Sequence, residues 1–288
     1  LEREYSDLSS NLANWATDHP ALHPISGEPF TIEQVLNEHA ARHEFKSLIE
    51  QCWRRQTEQD EPDQNRQPLH DLNLATIIRG DLPVLNADFS HVTHLYLRSL
   101  PGQTFGIDRF VETFASLRGL TIYQYRLEHI PPAVFRMAKL TYLSLSHCEL
   151  TLTPQNALEL AQMERLDHLD LSDNPLGETP DVSQMTNLQT LMLDNSGITS
   201  LPPGLLQLEH LEIADLSDNA ITQVPSDILE LPEERAEKFS LRSNPLSELS
   251  LQRLIAYFRK HRIDFGVEAV IERAEMEVST SEDSGVDE

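Results

Sequence analysis

Residues 166–176 read Leu166-Asp167-His168-Leu169-Asp170-Leu171-Ser172-Asp173-Asn174-Pro175-Leu176, with leucine at the first, fourth and sixth positions and asparagine at the ninth. Apolar residues two apart suit a short strand that buries one face and turns the other to water. One such strand has nothing to bury its face against, so the pattern matters only if it recurs. It recurs at Leu69/Leu72/Leu74, Val92/Leu95/Leu97, Leu117/Leu120/Ile122, Leu140/Leu143/Leu145, Leu188/Leu191/Leu193, Leu211/Ala214/Leu216 and Ala236/Phe239/Leu241. Including Leu166/Leu169/Leu171, successive starts are separated by 23, 25, 23, 26, 22, 23 and 25 residues. Stacked in parallel, such units close a continuous core that none of them could close alone.

A frame of this period is that of leucine-rich repeats. The expected fold class is therefore an α/β solenoid, a leucine-rich-repeat horseshoe with a parallel concave sheet, an N-terminal helical region and a C-terminal capping helix. Cys148, Asn174, Asn219 and Asn244 occupy the ninth position, where an amide or thiol can bond the backbone of the turn leaving each strand. Leu100, Tyr125 and Ser196 depart from this ladder, which predicts irregular early units and an interruption at Ser196. Ile130-Pro131-Pro132, Leu201-Pro202-Pro203 and Val224-Pro225 predict extended return segments on the convex side. Asp108 to Phe114 and the stretch after Thr153-Pro154, which carries Leu158 and Leu160, read as helices there.

A solenoid exposes its ends and needs a lid at each. Leu251, Leu254, Ile255 and Phe258 predict a helix over the last strand, with Ser250 as its cap. Upstream, Thr31 and Gln34 form a capping-box pattern opening a helix to about Trp53, with Ile32, Val35, Leu36, Phe45, Leu48, Ile49 and Cys52 on its apolar side. Leu8, Leu12 and Trp15 suggest a shorter helix before it. The organisation read from the chain is a helical region over 1–54, a linker over 55–68, repeats over 69–248, a capping helix and exit over 249–266, and an acidic tail or connector over 267–288.

Composition narrows the function. The 288 residues carry 22 Lys+Arg against 47 Asp+Glu, a net charge of −25, which gives phosphate-backbone binding almost no electrostatic support; no nucleic acid is expected as a partner. No apolar run approaches the roughly 18 residues of a membrane span, so an integral membrane protein is not expected. Two cysteines cannot make a disulfide framework. The chain begins at Leu1, so its natural start is read as missing and a secretion signal is left open.

No residue is assigned to catalysis, to a metal or to a cofactor. Cys148 sits at the ladder position and Cys52 on the apolar side of its helix, both settings for inert thiols. His39 and His43 have the spacing of a two-histidine metal site, but the intervening Glu of H-E-x-x-H and a third ligand are lacking. The usual phosphate-binding, hydrolase and redox motifs are absent. What remains is the outward row of strand residues. Early units contribute His94, Tyr96, Arg98, Arg118, Tyr123 and Tyr142, and later ones Asp167, Asp170, Asp194, Glu212 and Asp215. Aromatic residues and Arg anchor protein interfaces, and clustered carboxylates favour a basic patch on a partner. The expected partner is a protein, and these residues are its candidate contacts.

Cys52-Trp53-Arg54-Arg55, Asp88-Phe89-Ser90-His91-Val92, Leu171-Ser172-Asp173-Asn174-Pro175-Leu176 and Ile263-Asp264-Phe265-Gly266 make the chain resemble the leucine-rich-repeat portion of bacterial effector-like proteins of the NEL (novel E3 ubiquitin ligase) class. That resemblance implies a protein secreted by a bacterium and acting in host cytoplasm, whose repeats select a host protein while a separate domain transfers ubiquitin through a Cys-x-Asp cysteine. The two cysteines here read Cys52-Trp53-Arg54 and Cys148-Glu149-Leu150, so the ligase motif is absent from these residues. A scaffold that holds or inhibits a neighbouring domain of the same polypeptide is the alternative expectation.

Overall fold

The leucine frame falls into register in the computed structural model, which describes residues 2–18, 20–23, 26–56, 59–60, 69–75, 77–100, 104–271 and 273. The chain divides into two compact units, Leu1–Glu159 and Leu160–Glu288. The first contains α1 (Glu2–Thr17), α2 (Ile32–Trp53), β1 (Gln59–Asp60), β2 (Leu69–Leu74), β3 (Gly80–Asp81), β4 (His94–Arg98), β5 (Thr104–Phe105), α3 (Asp108–Glu112), β6 (Gly119–Tyr123) and β7 (Tyr142–Ser144). The boundary falls inside α4 (Pro154–Ala161), and β8 (His168–Asp170), β9 (Thr190–Met192), β10 (Ile213–Asp215), α5 (Glu233–Ala236), β11 (Phe239–Ser240) and α6 (Glu248–His261) follow.

In the first unit β2, β4, β6 and β7 pair in parallel, aligning Leu72 with Leu95, Leu95 with Leu120, and Leu120 with Leu143. In the second, β8 to β11 align Leu169 with Leu191, Leu191 with Ala214, and Ala214 with Phe239. These side chains are buried. This is the leucine-rich-repeat α/β solenoid fold read from the leucine spacing. Among the described residues the return side adds features not anticipated: a two-stranded parallel pair of β3 and β5, and 3-10 turns at Val134–Arg136, Leu205–Gln207 and Ser226–Glu230 just after the prolines read as extended.

Each strand is short because the chain leaves it through the same turn. Gln124, His147, Asp173, Asn195, Asp218 and Ser243 stand at the eighth position of six frames, and all have φ between 49° and 60°. The left-handed conformation aims the next side chain back into the stack. There the Asn219 amide donates to the carbonyls of Leu193, Leu216 and Ser217 at 2.7, 3.0 and 3.1 Å. Its oxygen accepts from the backbone of Ser196 and Ile198 at 3.0 and 3.2 Å. Asn174, Asn244 and Cys148 bond the turns they occupy in the same manner. The interruption expected at Ser196 does not occur. Its hydroxyl donates to Leu171 O at 3.1 Å and Asp194 O at 3.2 Å, so a shorter side chain reaches the same kind of acceptor. Tyr125 and Leu100 leave the ladder as expected, the first buried and the second exposed.

The N-terminal helices join the repeats through aromatic and ionic contacts. Phe45 of α2 packs between Trp15 and Phe110 with ring centroids 5.2 and 5.6 Å away, and Phe110 continues to Phe114 at 5.2 Å. Thr31 caps α2 with the full capping box. The apolar side read from the sequence is corrected at its start: Ile32 and Leu36 are 82% and 64% exposed, while Glu38 and Arg42 are buried in their place. Arg42 donates to Glu38 at 2.8 Å and to the carbonyls of Trp15 and Arg79 at 2.9 Å each, and the Arg79 backbone donates to Glu38 at 3.1 Å. A paired, hydrogen-bonded charge can occupy a position that an isolated one could not.

At the other end Ser247, not Ser250, caps α6, receiving the Ser250 N–H. The Ser250 hydroxyl is buried and instead donates to Thr222 O and accepts from Val224 N. The buried side of α6 is Ser250, Leu254 and Tyr257, with Leu251, Ile255 and Phe258 half-buried at its margins. In α4, Leu160 is buried but Leu158 is exposed. Most of the linker reading (57–58 and 61–68) and of the tail reading (272 and 274–288) lies outside the described residues.

Asn219→Ala removes the partner of several backbone groups in two adjacent repeats, and each buried group left unsatisfied costs about 1–3 kcal/mol. The variant is expected to lower the urea unfolding midpoint by the equivalent of about 3 kcal/mol with little change in slope, and Ser196→Ala by about 1 kcal/mol.

Candidate functional site

The exposed face of each sheet is built of columns running across the strands, because residues between the buried leucines share one side. In the first unit one column is Asp71, His94, Gly119 and Tyr142, and the next is Asn73, Tyr96, Thr121 and Ser144. His94 Nδ1 lies 3.2 Å from Asp71 Oδ1. Its ring rests over Gly119, where a Cβ would come within 2.4 Å of His94 Cδ2. Glycine is required there to let the imidazole lie down on the sheet. Tyr96 is 38% exposed in the centre of the face. Along the edge where the strands end, the Arg98 guanidinium sits 5.5 Å above the Tyr123 ring, and Tyr123 meets His147 edge-on at 5.1 Å. The sequence reading found Arg98 and Tyr123 but missed His147, whose left-handed turn conformation no local motif announces.

Arg118 stands one residue ahead of β6, half-buried, with its carbonyl accepting from Thr141 and Tyr142 at 2.9 and 3.0 Å. Asp167 and Glu212 hold the equivalent places ahead of β8 and β10. Asp167 O accepts from Gln189 and Thr190, and Glu212 N donates to Gln189 O. These three candidates border the face, whereas His94, Tyr96, Arg98, Tyr123, Tyr142, Asp170 and Asp215 belong to its strands.

In the second unit Asp170, Met192, Asp215 and Ser240 form one column. Asp194 lies two residues further along, where Asp173 N bonds Asp194 O and Asn195 N bonds Ser217 O. Asp170 Oδ1 accepts from the Ser172 N–H at 3.0 Å and hydroxyl at 2.6 Å, and Asp215 Oδ1 accepts from Ser217 N at 2.9 Å. These bonds fix both carboxylates, so part of their role is to brace the turn. Asp194 differs. Partial burial, and after it the charges of Asp215, Asp173 and Asp170, push its carboxyl above the usual range. Beside them His168 is held below its usual value because burial outweighs the neighbouring Asp170 and Asp167. Ile213, 44% exposed in the column of His168 and Thr190, was missed because the reading sought polar and aromatic residues on this face.

The flanking motifs have structural work. Cys52 and His91 meet, with His91 Nε2 2.9 Å from Cys52 O, and Phe89 stacks on His91 at 6.2 Å. Asp88 Oδ1 accepts from Ser90 N at 2.8 Å and closes the turn before Val92. Phe265 extends the pairing past β11 by accepting from Leu241 N at 2.8 Å. Burial pushes the Cys52 thiol up to about 12, which removes it as a nucleophile at neutral pH. Among the described residues no group of three or more His, Cys, Asp or Glu is arranged to hold a metal ion, and no helix is long and apolar enough to cross a membrane.

Residues 139–160 match the family model for the Leucine Rich Repeat. Among solved structures, the chain is similar to a leucine-rich-repeat protein of Leptospira interrogans (23% identity over 60% of this chain and 54% of that one, TM-score 0.41). It is also similar to the Arabidopsis receptor kinase HAESA in complex with a peptide hormone and a co-receptor (23% identity, 62% and 35% coverage, TM-score 0.48). A third similarity is to the leucine-rich-repeat ectodomain of a membrane receptor kinase of Arabidopsis thaliana (20% identity, 68% and 25% coverage, TM-score 0.43). The chain thus spans about half or less of the length of these structures. Comparison with curated proteins gives no match. The fold rests on the strand register and the leucine frame rather than on these likenesses.

Two outcomes follow from the local chemistry. A carboxyl whose folded pKa is raised binds its proton more tightly in the folded state, so its contribution to stability declines as pH rises through that range. Asp194→Asn is therefore expected to stabilise the fold at about pH 7, with the gain vanishing as pH falls below the unfolded aspartate value of about 3.9; urea midpoints at the two pH values check it. Both thiols are buried, and neither is expected to react with a thiol reagent at about pH 8 until denaturant is added.

Proposed function

We propose that this chain is a protein-recognition module that binds through the exposed faces of its sheets and performs no chemistry of its own. The observation that carries the proposal is the acidic face of the second unit, where Asp170 and Asp215 share one column and Asp194 lies two residues further along, its carboxyl held above the usual range by partial burial and then by these neighbouring charges. Bracing the turns accounts for one oxygen each of Asp170 and Asp215 but not for the accumulation of like charge, whose mutual repulsion a cationic partner would relieve. The first unit contributes a different surface, with Tyr96 projecting and Arg98 laid over Tyr123. These are residue types that anchor interfaces. The partner class that fits the acidic face is a protein segment rich in Lys or Arg.

In the finer form of this reading the chain is the substrate-selecting segment of a secreted, NEL-type bacterial ubiquitin ligase whose catalytic cysteine lies in another domain. What supports it is the set of flanking motifs. The run at Cys52-Trp53 and the run at Asp88 to His91, distant in sequence, pack on one another where the helices meet the first repeats. On this reading the 288 residues form no ubiquitin thioester, and a longer polypeptide with a Cys-x-Asp domain does.

The test is a fluorescence-anisotropy titration of the chain with a Lys/Arg-rich peptide and with a Glu-rich peptide of equal length, at low and at physiological salt. Binding of the basic peptide alone is expected, weakening as salt rises. The triple reversal Asp170→Lys, Asp194→Lys, Asp215→Lys is expected to cut affinity by about tenfold or more and flatten the salt dependence. Equal affinity and salt response in the variant would remove the acidic face from the mechanism.

A further inference from the structure

The outward side of α2 carries a pair of histidines in contact. At 100° per residue, Glu38, Arg42, Ile49 and Cys52 fall within about 60° of Phe45, whereas Ile32, Leu36, His39 and His43 lie about 120–180° away. Both histidines are exposed. His43 Nε2 lies 3.1 Å from His39 Nε2, with ring centroids 4.3 Å apart and ring planes inclined at 55°. Two neutral imidazoles at that distance can share one N–H···N hydrogen bond. The same separation is also the bite of a cation gripped by both. Metal–nitrogen bonds of about 2.0–2.1 Å, at an angle between a right angle and a tetrahedral one, set two ligand nitrogens about 2.8–3.4 Å apart.

The surroundings favour the cation. The backbone positions of the two residues are fixed by a 22-residue helix with a full capping box, so only side-chain freedom is left to lose on binding. Arg42, between the histidines in sequence, is turned inward and committed to Glu38 at 2.8 Å. Lys46, on the following turn, is held by Glu50 at 2.7 Å. The chain as a whole carries a net charge of −25, which attracts cations from solution.

We propose that His39 and His43 chelate a divalent transition-metal cation of the Zn²⁺, Ni²⁺ or Cu²⁺ class through their two Nε2 atoms, with water in the remaining positions. Imidazole nitrogen selects these ions over Mg²⁺ and Ca²⁺, which take oxygen. On binding, a ring that carries its hydrogen on Nε2 moves it to Nδ1, so that both Nε2 lone pairs face the metal.

Calorimetric titration of the full chain with ZnCl₂, NiCl₂ and MgCl₂ at about pH 7.5 tests the proposal. One site per chain is expected for zinc and nickel and none for magnesium. His39→Gln and His43→Gln are each expected to weaken that site by about tenfold or more, with unchanged far-ultraviolet circular dichroism because both positions are exposed. With one equivalent of Cu²⁺, electron paramagnetic resonance should show coupling to two imidazole nitrogens, reduced to one in either variant. The double change His43→Ala, Glu44→His keeps the number of histidines but turns the second ring by 100°, and it should not restore the site. Absence of zinc and nickel binding up to about 1 mM, binding unaltered in both Gln variants, or full binding in the displaced-histidine variant would overturn the proposal.

Discussion

The fold depends on how the chain leaves each strand. A parallel stack of two- to six-residue strands has few ladder bonds per unit, and every unit must then turn sharply with its backbone groups facing inward. A left-handed residue at the eighth position and a hydrogen-bonding side chain at the ninth solve this together. The first bends the chain, and the second reaches the carbonyls and amides that the bend strands. Asn219 serves two successive repeats at once, so the turns are coupled to one another as well as to their own strands. Leucine supplies the driving force for stacking, but the ladder makes the stacked state tolerable for the backbone.

Much of this was legible because a period repeated eight times is self-checking. The frame Leu95, Leu120, Leu143 could be written down from spacing alone and reappears as a row of aligned residues. The N-cap of α2 was equally plain, because Thr31 and Gln34 form a motif with local physical meaning. The failures are also physical. Ile32 and Leu36 looked like core residues, but the long-range partners that draw Glu38 and Arg42 inside, Trp15 and Arg79, are invisible to a helical wheel. Ser196 looked like a gap because the reading matched side-chain type, while the structure matches acceptor position. Ser250 looked like a cap because serine at a helix start usually is one. Three residues earlier stands another serine, and Ser250 was needed by Thr222 and Val224.

The candidate surface was legible to a lesser degree. Alternation identifies which residues leave the core, and it placed Tyr96, Arg98, Asp170 and Asp215 on strand faces. It does not distinguish a strand residue from one at the threshold of the strand, which is why Arg118, Asp167 and Glu212 border the surface. Nor does it say which carboxylates are already engaged: Asp170 and Asp215 hold serine N–H groups, while Asp194 is partly buried beside other carboxylates. Two carboxylates that brace turns and a third that is partly buried beside them can share one sheet and differ in what they offer a ligand.

The buried pair of Glu38 and Arg42 bears on where this polypeptide can be cut. Because Glu38 accepts from the Arg79 amide and Arg42 donates to its carbonyl, the helices at the front are wired into the backbone of the opening repeats. A fragment begun at the first leucine frame would lose the ring of Phe45 from Phe110 and present a bare sheet edge to solvent. Anyone trimming this protein to its repeats for crystallisation or display should keep the leading helices attached.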